Sequence, residues 1–201
     1  MTNIFIIHSY NADTKESFGP YITSEAKELD INTYIPDFPV KTEADYATWS
    51  RIMDTYLISG ELNEDSIVIA HSLGAHFIPK YLASRGVSIS TYISCAGFLN
   101  DMPNKPSLQK TIDDFRPTED EIASAVQLIE HRFSIYSDND HLNPQHELEY
   151  YADNLAAKRV FISGIGHMGK TSGITELPQA IDIIKQVLEN KKEVWKLWIN
   201  E

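Results

Sequence analysis

At 201 residues the chain is long enough for one domain with a sizeable core, since chains of about 150 to 300 residues bury about 70 % or more of the surface they expose when unfolded. A net charge of −12 argues against nonspecific nucleic-acid binding and against docking on an anionic membrane, because phosphates would be repelled rather than neutralised. The lone cysteine, Cys95, excludes an intramolecular disulfide and sits in an apolar run from Tyr92 to Ala96 that reads as a buried structural thiol.

The N-terminus, MTNIFIIHSY, has no basic region and only a short apolar run, so it does not read as a signal peptide. No apolar run approaches the roughly 18 residues of a membrane span. The expectation is a cytoplasmic protein whose residues 1–201 form one domain.

In chain order, residues 4–7 form a first strand that ends at His8 and a polar loop. Residues 18–29 follow as a helix with Phe18, Tyr21, Ile22, Ala26 and Leu29 on its inner face. Residues 33–35 are a short strand closed by Pro36 and Pro39, and residues 45–58 a helix burying Trp49, Ile52, Met53, Tyr56 and Leu57. Residues 67–70 are β-branched and apolar, as a strand buried on both faces requires, and from Gly74 the spacing of Ala75, Ile78, Tyr81 and Leu82 is helical.

Residues 88–96 are the fourth strand, closed by Gly97. The segment 98–117, with Pro103, Pro106 and Pro117, is a poor regular element and reads as a small lid. A helix over 119–131, a strand over 133–136, a helix over 145–156, a strand over 160–163 and a closing helix over 177–190 complete the pattern. In the tail, Trp195, Trp198 and Ile199 are expected to pack on the domain rather than form a partner site.

Six strands alternating with helices predict an α/β fold, a three-layer α/β/α sandwich on a mostly parallel sheet. Such folds place their sites beyond the C-terminal ends of the strands. The residues to inspect are therefore those just after each strand.

After the third strand, the sequence AHSLG puts Ser72 between strand and helix with small residues two before and two after, which suits a strained nucleophile turn. Alone, the same pentapeptide fits a serine that merely caps a helix. A serine hydroxyl needs a base to remove its proton and a carboxylate to hold that base. The post-strand loops supply Ser72, an aspartate from SDNDHLNP and His167 from GIGHMG, in the Ser, Asp, His order of α/β-hydrolases.

Asp140, which precedes the Pro144-led helix, is favoured as the acid, with Asp138 as the alternative. Among the other histidines, His76 lies one turn below Ser72 on the same helix, His71 diverges from its neighbour, and His8 supports the loop after strand one. The oxyanion of an acyl intermediate needs two donors. The amide of Leu73 is one, and that of Tyr10 the other, with Ser9 and Asn11 as further choices. Asp138, Asp140 and Glu149 imitate a calcium loop, but Leu142, Asn143 and Pro144 spoil it. No zinc, nucleotide or dinucleotide motif occurs, so neither metal nor cofactor is expected.

With those residues in hand, the chain resembles the small α/β-hydrolase-fold serine hydrolases of the YdeN and retinoblastoma-binding protein nine type. The resemblance runs through IFIIHSY, IPDFP with Trp49, VIAHSLGA, SCAGFLNDMP, SDNDHLNP and GIGHM followed by ELP. It departs at Ser9, where the family usually has glycine, and at Asn143, which replaces an aliphatic residue. The resemblance implies a Ser72, Asp140, His167 triad and hydrolysis of ester-like or related acyl substrates. The substrate is then a small acyl-bearing molecule, with Trp49, Phe98, Leu99 and Met102 as candidate lining of its pocket. The alternatives are a protein-binding or regulatory member of the fold with little catalysis, and an acyltransferase. No L-x-C-x-E pocket-protein motif supports a protein partner.

Overall fold

The computed structural model describes residues 1–101 and 108–199, with the side chains of these except Asp13 and those beyond residue 191. Six strands form one sheet: β1 (Asn3–Ile7), β2 (Asn32–Tyr34), β3 (Ile67–His71), β4 (Ile89–Cys95), β5 (Ile129–Tyr136) and β6 (Lys158–Phe161). Their order is β2-β1-β3-β4-β5-β6. Every pairing is parallel, as between Ile4 and Ile67 or Ile89 and Ile129.

Helices α1 (Gly19–Glu28), α2 (Tyr46–Ile58), α3 (Leu73–Arg85), α4 (Gln109–Phe115), α5 (Glu119–Leu128), α6 (Gln145–Asn154) and α7 (Pro178–Ile199) connect and follow the strands. Because strand side chains alternate, β1 sends Phe5 and Ile7 into one core and Ile4 and Ile6 into the other. The first core takes side chains from α2, α3, α4, α5 and α6, and the second from α1 and α7. The result is the expected three-layer α/β/α sandwich. No helix among the described residues is long and apolar enough to cross a membrane.

Local signals explain most boundaries. Asp45 caps α2 by accepting from the Thr48 amide (2.8 Å), and Thr118 and Glu121 form a reciprocal capping box on α5. Elsewhere the structure departs from the sequence expectation. The segment read as a possible lid contains α4, whose Ile112 and Phe115 are buried; the prolines around it obscure so short a pattern. Residues 102–107 of that segment, Met102 included, lie outside the described residues.

The strand expected at 133–136 begins at Ile129 instead, since pairing with β4 claims the end of the helix-like pattern. The edge strand β6 starts two residues before the expected 160–163, and α7 runs on to Ile199. The side chains of Trp195, Trp198 and Ile199 lie outside the described set.

One buried contact compensates a flaw in α3. Pro79 lies inside this helix, so the carbonyl of Ala75, four residues earlier, has no amide to accept from. The Tyr151 hydroxyl donates to that carbonyl at 2.7 Å, and the Tyr92 hydroxyl lies 2.8 Å from Tyr151 Oη and 3.2 Å from the same carbonyl. Both tyrosines are fully buried. Tyr151→Phe is expected to lower stability by about 1 to 2 kcal/mol in urea unfolding. In a Pro79→Ala background, where an amide is restored, the same substitution should cost less, and equal costs in both backgrounds would contradict the compensation.

Candidate active site

The strand exits determine where the polar side chains converge. The ladder runs one residue past β3, with the Ser72 amide donating to the Cys95 carbonyl at 3.0 Å. The chain then turns sharply, and Ser72 has φ 53 and ψ −112, a region that costs a residue with a side chain about 1 to 3 kcal/mol. The turn brings α3 so close to β1 that a Cβ on Gly74 would lie 2.8 Å from the His8 carbonyl oxygen and 2.9 Å from that of Ile7. Only glycine fits that contact.

Ser72 Oγ is 2.9 Å from His167 Nε2, and His167 Nδ1 is 2.7 Å from Asp140 Oδ2. Ser72 and His167 retain 6 % and 5 % of their exposure, and the Asp140 side chain 1 %. The other Asp140 oxygen accepts the amides of Leu142 (2.8 Å) and Asn143 (3.1 Å). Burial pushes this carboxyl up, but the hydrogen bond and charge of His167, with those two amides, outweigh it and hold the group below the usual aspartate value. Asn143, the departure from the family pattern, thus serves through its backbone.

Asp138 has a different task. It is exposed, and its oxygens accept the Gly164 amide (2.9 Å) and the Ser163 hydroxyl (2.8 Å). Of the two aspartates, Asp140 is the one that meets the histidine.

The oxyanion candidates lie together. Leu73 opens α3, so its amide is one of those for which a helix has no internal acceptor. The Ser9 carbonyl accepts from His8 Nδ1 (2.7 Å) and from the Ala12 amide (3.1 Å). In a planar trans peptide the Tyr10 amide must then point the opposite way. The Tyr10 carbonyl is itself held by the Lys41 amide at 2.9 Å. Ser9 is not among the residues with positive φ, so a side chain is accommodated where the family usually has glycine. The Asn11 amide faces Ser9 Oγ at 3.4 Å.

A cleft of about 480 Å³, counting the open solvent at its mouth, joins these groups. Among the described residues, Ser9, Tyr10, Asn11, Ser72, Thr111 and His167 bring polar groups to it, and Leu73, Phe98, Leu108, Ile112 and Leu142 line it with apolar side chains. Phe98 is thus where the sequence places it.

Trp49 is not. It is fully buried, stacked on Phe38 with ring centroids 4.4 Å apart, and its indole N–H donates to the Pro39 carbonyl. Its position behind His8, 5.0 Å ring to ring, makes it a backing for the first loop rather than a cleft wall. Leu99 is half-buried against the core and is likewise not part of the wall. Leu108, Ile112 and Leu142 were missed, although the spacing of Leu108, Ile112 and Phe115 is a short helical signal.

The rival histidines are accounted for. His71 Nε2 donates to the His167 carbonyl oxygen at 2.7 Å, an anchor that no motif announces. His76 packs at a tilt against Phe98, ring centroids 4.4 Å apart. His131 and His146 pair with Glu130 and Glu147, and His141 is exposed with its ring 6.0 Å from that of His167. Among the described residues, no group of three or more His, Cys, Asp or Glu side chains is placed to hold a metal ion.

A family model described as serine hydrolase matches residues 6–186. No curated protein sequence matches the chain. Among solved structures, the ydeN gene product of B. subtilis is similar, with a TM-score of 0.82 and 22 % identity over 94 % of this chain and 100 % of that one. A putative YdeN-like hydrolase from Pectobacterium atrosepticum matches with a TM-score of 0.67 and 15 % identity over 94 % and 91 % of the two chains. Est1E from Butyrivibrio proteoclasticus, solved with ferulic acid bound, matches with a TM-score of 0.67 and 13 % identity over 96 % and 89 %. At these identities the likeness is one of fold.

Burial also dictates how the molecule responds to acid. It lowers the His71 and His76 pKa values to about 3, with the nearby His167 adding to the effect at His71, and it lowers that of His8. Between about 6.5 and 3 the unfolded chain therefore binds protons that the folded chain does not, and stability falls as pH falls, by up to about 1.4 kcal/mol per pH unit per histidine. The urea midpoint is expected to drop between pH 7 and pH 5, and His76→Phe to flatten that slope. An unchanged slope in the variant would contradict a neutral buried His76.

Proposed function

The chain belongs to the serine hydrolase family, whose model covers residues 6–186, and on that premise we propose that it hydrolyses small ester-like acyl substrates through Ser72, His167 and Asp140. The observation that carries this reading is the unbroken hydrogen-bonded chain from Ser72 Oγ through His167 to Asp140, of which Ser72 and His167 line a largely apolar cleft.

Ser72 Oγ attacks the acyl carbonyl while His167 Nε2 takes its proton. Asp140 keeps the Nδ1 proton on the imidazole, which fixes the tautomer with Nε2 free to accept, and stabilises the imidazolium that forms. The amides of Leu73 and Tyr10 donate to the developing oxyanion, a contribution whose loss typically costs about 10² to 10³ in rate. His167 then returns the proton to the departing alkoxide. A water molecule, deprotonated in turn by His167, attacks the acyl-enzyme carbonyl; the bond to Ser72 Oγ breaks, that oxygen takes the proton back from His167, and the acid is released. The apolar wall of Phe98, Leu108, Ile112 and Leu142 favours an uncharged acyl group. No step requires a metal or cofactor.

A fluorophosphonate probe is expected to label the wild-type protein, to leave Ser72→Ala unlabelled and to label His167→Ala far more slowly. An unlabelled wild type would leave a binding role for the fold and remove the hydrolase one. On a short p-nitrophenyl ester, Asp140→Asn should lower kcat/KM by about 10² to 10⁴, because the wrong tautomer then faces the serine, and Asp138→Asn by less than about tenfold. Comparable losses in the two variants would contradict the assignment of the acid.

A further inference from the structure

The loops after β5 and β6 are joined by a ladder of side chains. The backbone ladder between these strands ends where the Ile162 amide donates to the Tyr136 carbonyl at 2.9 Å. Beyond it, consecutive residues of SDND take over as acceptors. Asp138 receives the Ser163 hydroxyl and the Gly164 amide. Ser137 Oγ accepts the Ile165 amide at 3.1 Å, Asn139 Oδ1 accepts the Gly166 amide at 2.7 Å, and Asp140 meets the ring of His167. The Ser137 hydroxyl donates to Asn139 Oδ1 at 2.8 Å, which ties two of these rungs together.

The chain around His167 is held from several sides: Met168 is buried in the second core, and its amide donates to the Ile165 carbonyl at 3.3 Å. Gly166 has φ +58 and Met168 φ +56, so His167 lies between two left-handed residues. The left-handed backbone at Gly166 favours glycine, and a Cβ there would also push on the Ser172 side chain, 2.8 Å from its Oγ. On the far side, His71 holds the carbonyl of His167. On the near side, the peptide entering Gly166 is oriented by the Asn139 side chain.

We infer that Asn139, braced by Ser137, is a positioning residue that aims the His167 ring at Ser72 by anchoring the Gly166 amide. The inference rests on the assignment of Ser72 and His167 as nucleophile and base. Asp140 restrains the ring only through Nδ1, about which it can still pivot; the Gly166 anchor restrains the backbone from which the ring projects. A displacement of about 1 Å between reacting groups can cost on the order of 10²-fold in rate, so a hydrogen bond worth little to stability has a large kinetic effect. Ser137 is fully buried and Asn139 exposed, which makes Asn139 the better position to substitute without unfolding the chain.

The test compares wild type, Asn139→Ala and Asn139→Asp, the last of which keeps an oxygen at the Oδ1 position. Turnover of p-nitrophenyl acetate is measured per active site titrated with a fluorophosphonate, and the downfield His167 Nδ1 proton is followed by NMR in the same samples, with urea midpoints as the control for folding. Asn139→Ala is expected to lower kcat per titrated site by about 10- to 100-fold with KM changed less than about twofold, and to broaden the ring-proton signal. Asn139→Asp should return kcat to within about threefold of wild type and restore the signal.

An Asn139→Ala protein with wild-type kcat per site and an unchanged ring proton would overturn the inference, as would an Asn139→Asp protein as slow as Asn139→Ala. A wild type inert to both probe and ester refutes the hydrolase reading instead, and the ring-proton comparison then still decides whether Asn139 holds His167.

Discussion

Everything in the cleft depends on how the parallel ladder continues past the end of the sheet. The amides of Ser72 and Ala96 each donate to a carbonyl near the end of the neighbouring strand, at Cys95 and Ile135, both at 3.0 Å. Immediately there the backbone turns left-handed, with φ 53 at Ser72 and 51 at Ala96. A serine held in that way is a rigid extension of β3. The strain is tolerated because two buried strands and α3 over-determine the position, with Gly74 admitting the helix to within contact of β1.

Further along the same edge the ladder changes character, from backbone carbonyls to the side chains of Ser137, Asp138, Asn139 and Asp140. Parallel strands need long crossovers and cannot share a tight turn, so adjacent exits must be tied by whatever polar groups they carry. Here the loop after β5 carries four in succession. The loop after β6 offers glycines and amides that fit them. The two loops are complementary halves of one structure, and His167 lies at its end.

Electrostatics then sort the ionisable groups. Asp140 is a buried carboxylate, tolerable because two amides and an imidazole satisfy it. His71 is equally buried but held neutral, so it can serve as a hydrogen-bond donor to the His167 backbone without placing a positive charge beside the ring. Asp138 remains in solvent, where an unneutralised charge costs little, and it acts on the loop backbone.

The sequence by itself determined the α/β class and the succession of strands and helices, because those depend on local patterns of β-branched runs and helical spacing. It singled out Ser72, His167 and an SDND acid by their places after the strands, and the structure brings these into one hydrogen-bonded chain. It also pointed to Leu73 and Tyr10 through their places after a strand. What it could not determine depends on contacts far apart in the chain. The sequence favours Asp140 over Asp138 only by its place before Pro144 and by resemblance, and the position of the loop after β6 is what brings Asp140 alone to the histidine. Trp49 looks like an aromatic pocket residue, yet stacking on Phe38 draws it into the core. Short α4 is stabilised by burial of Ile112 and Phe115 rather than by its own propensity, so its contribution to the cleft is a tertiary matter. The same holds for the anchoring of His167 by His71 and Asn139, since a hydrogen bond to a backbone amide or carbonyl leaves no signature in the identity of the residue that receives it.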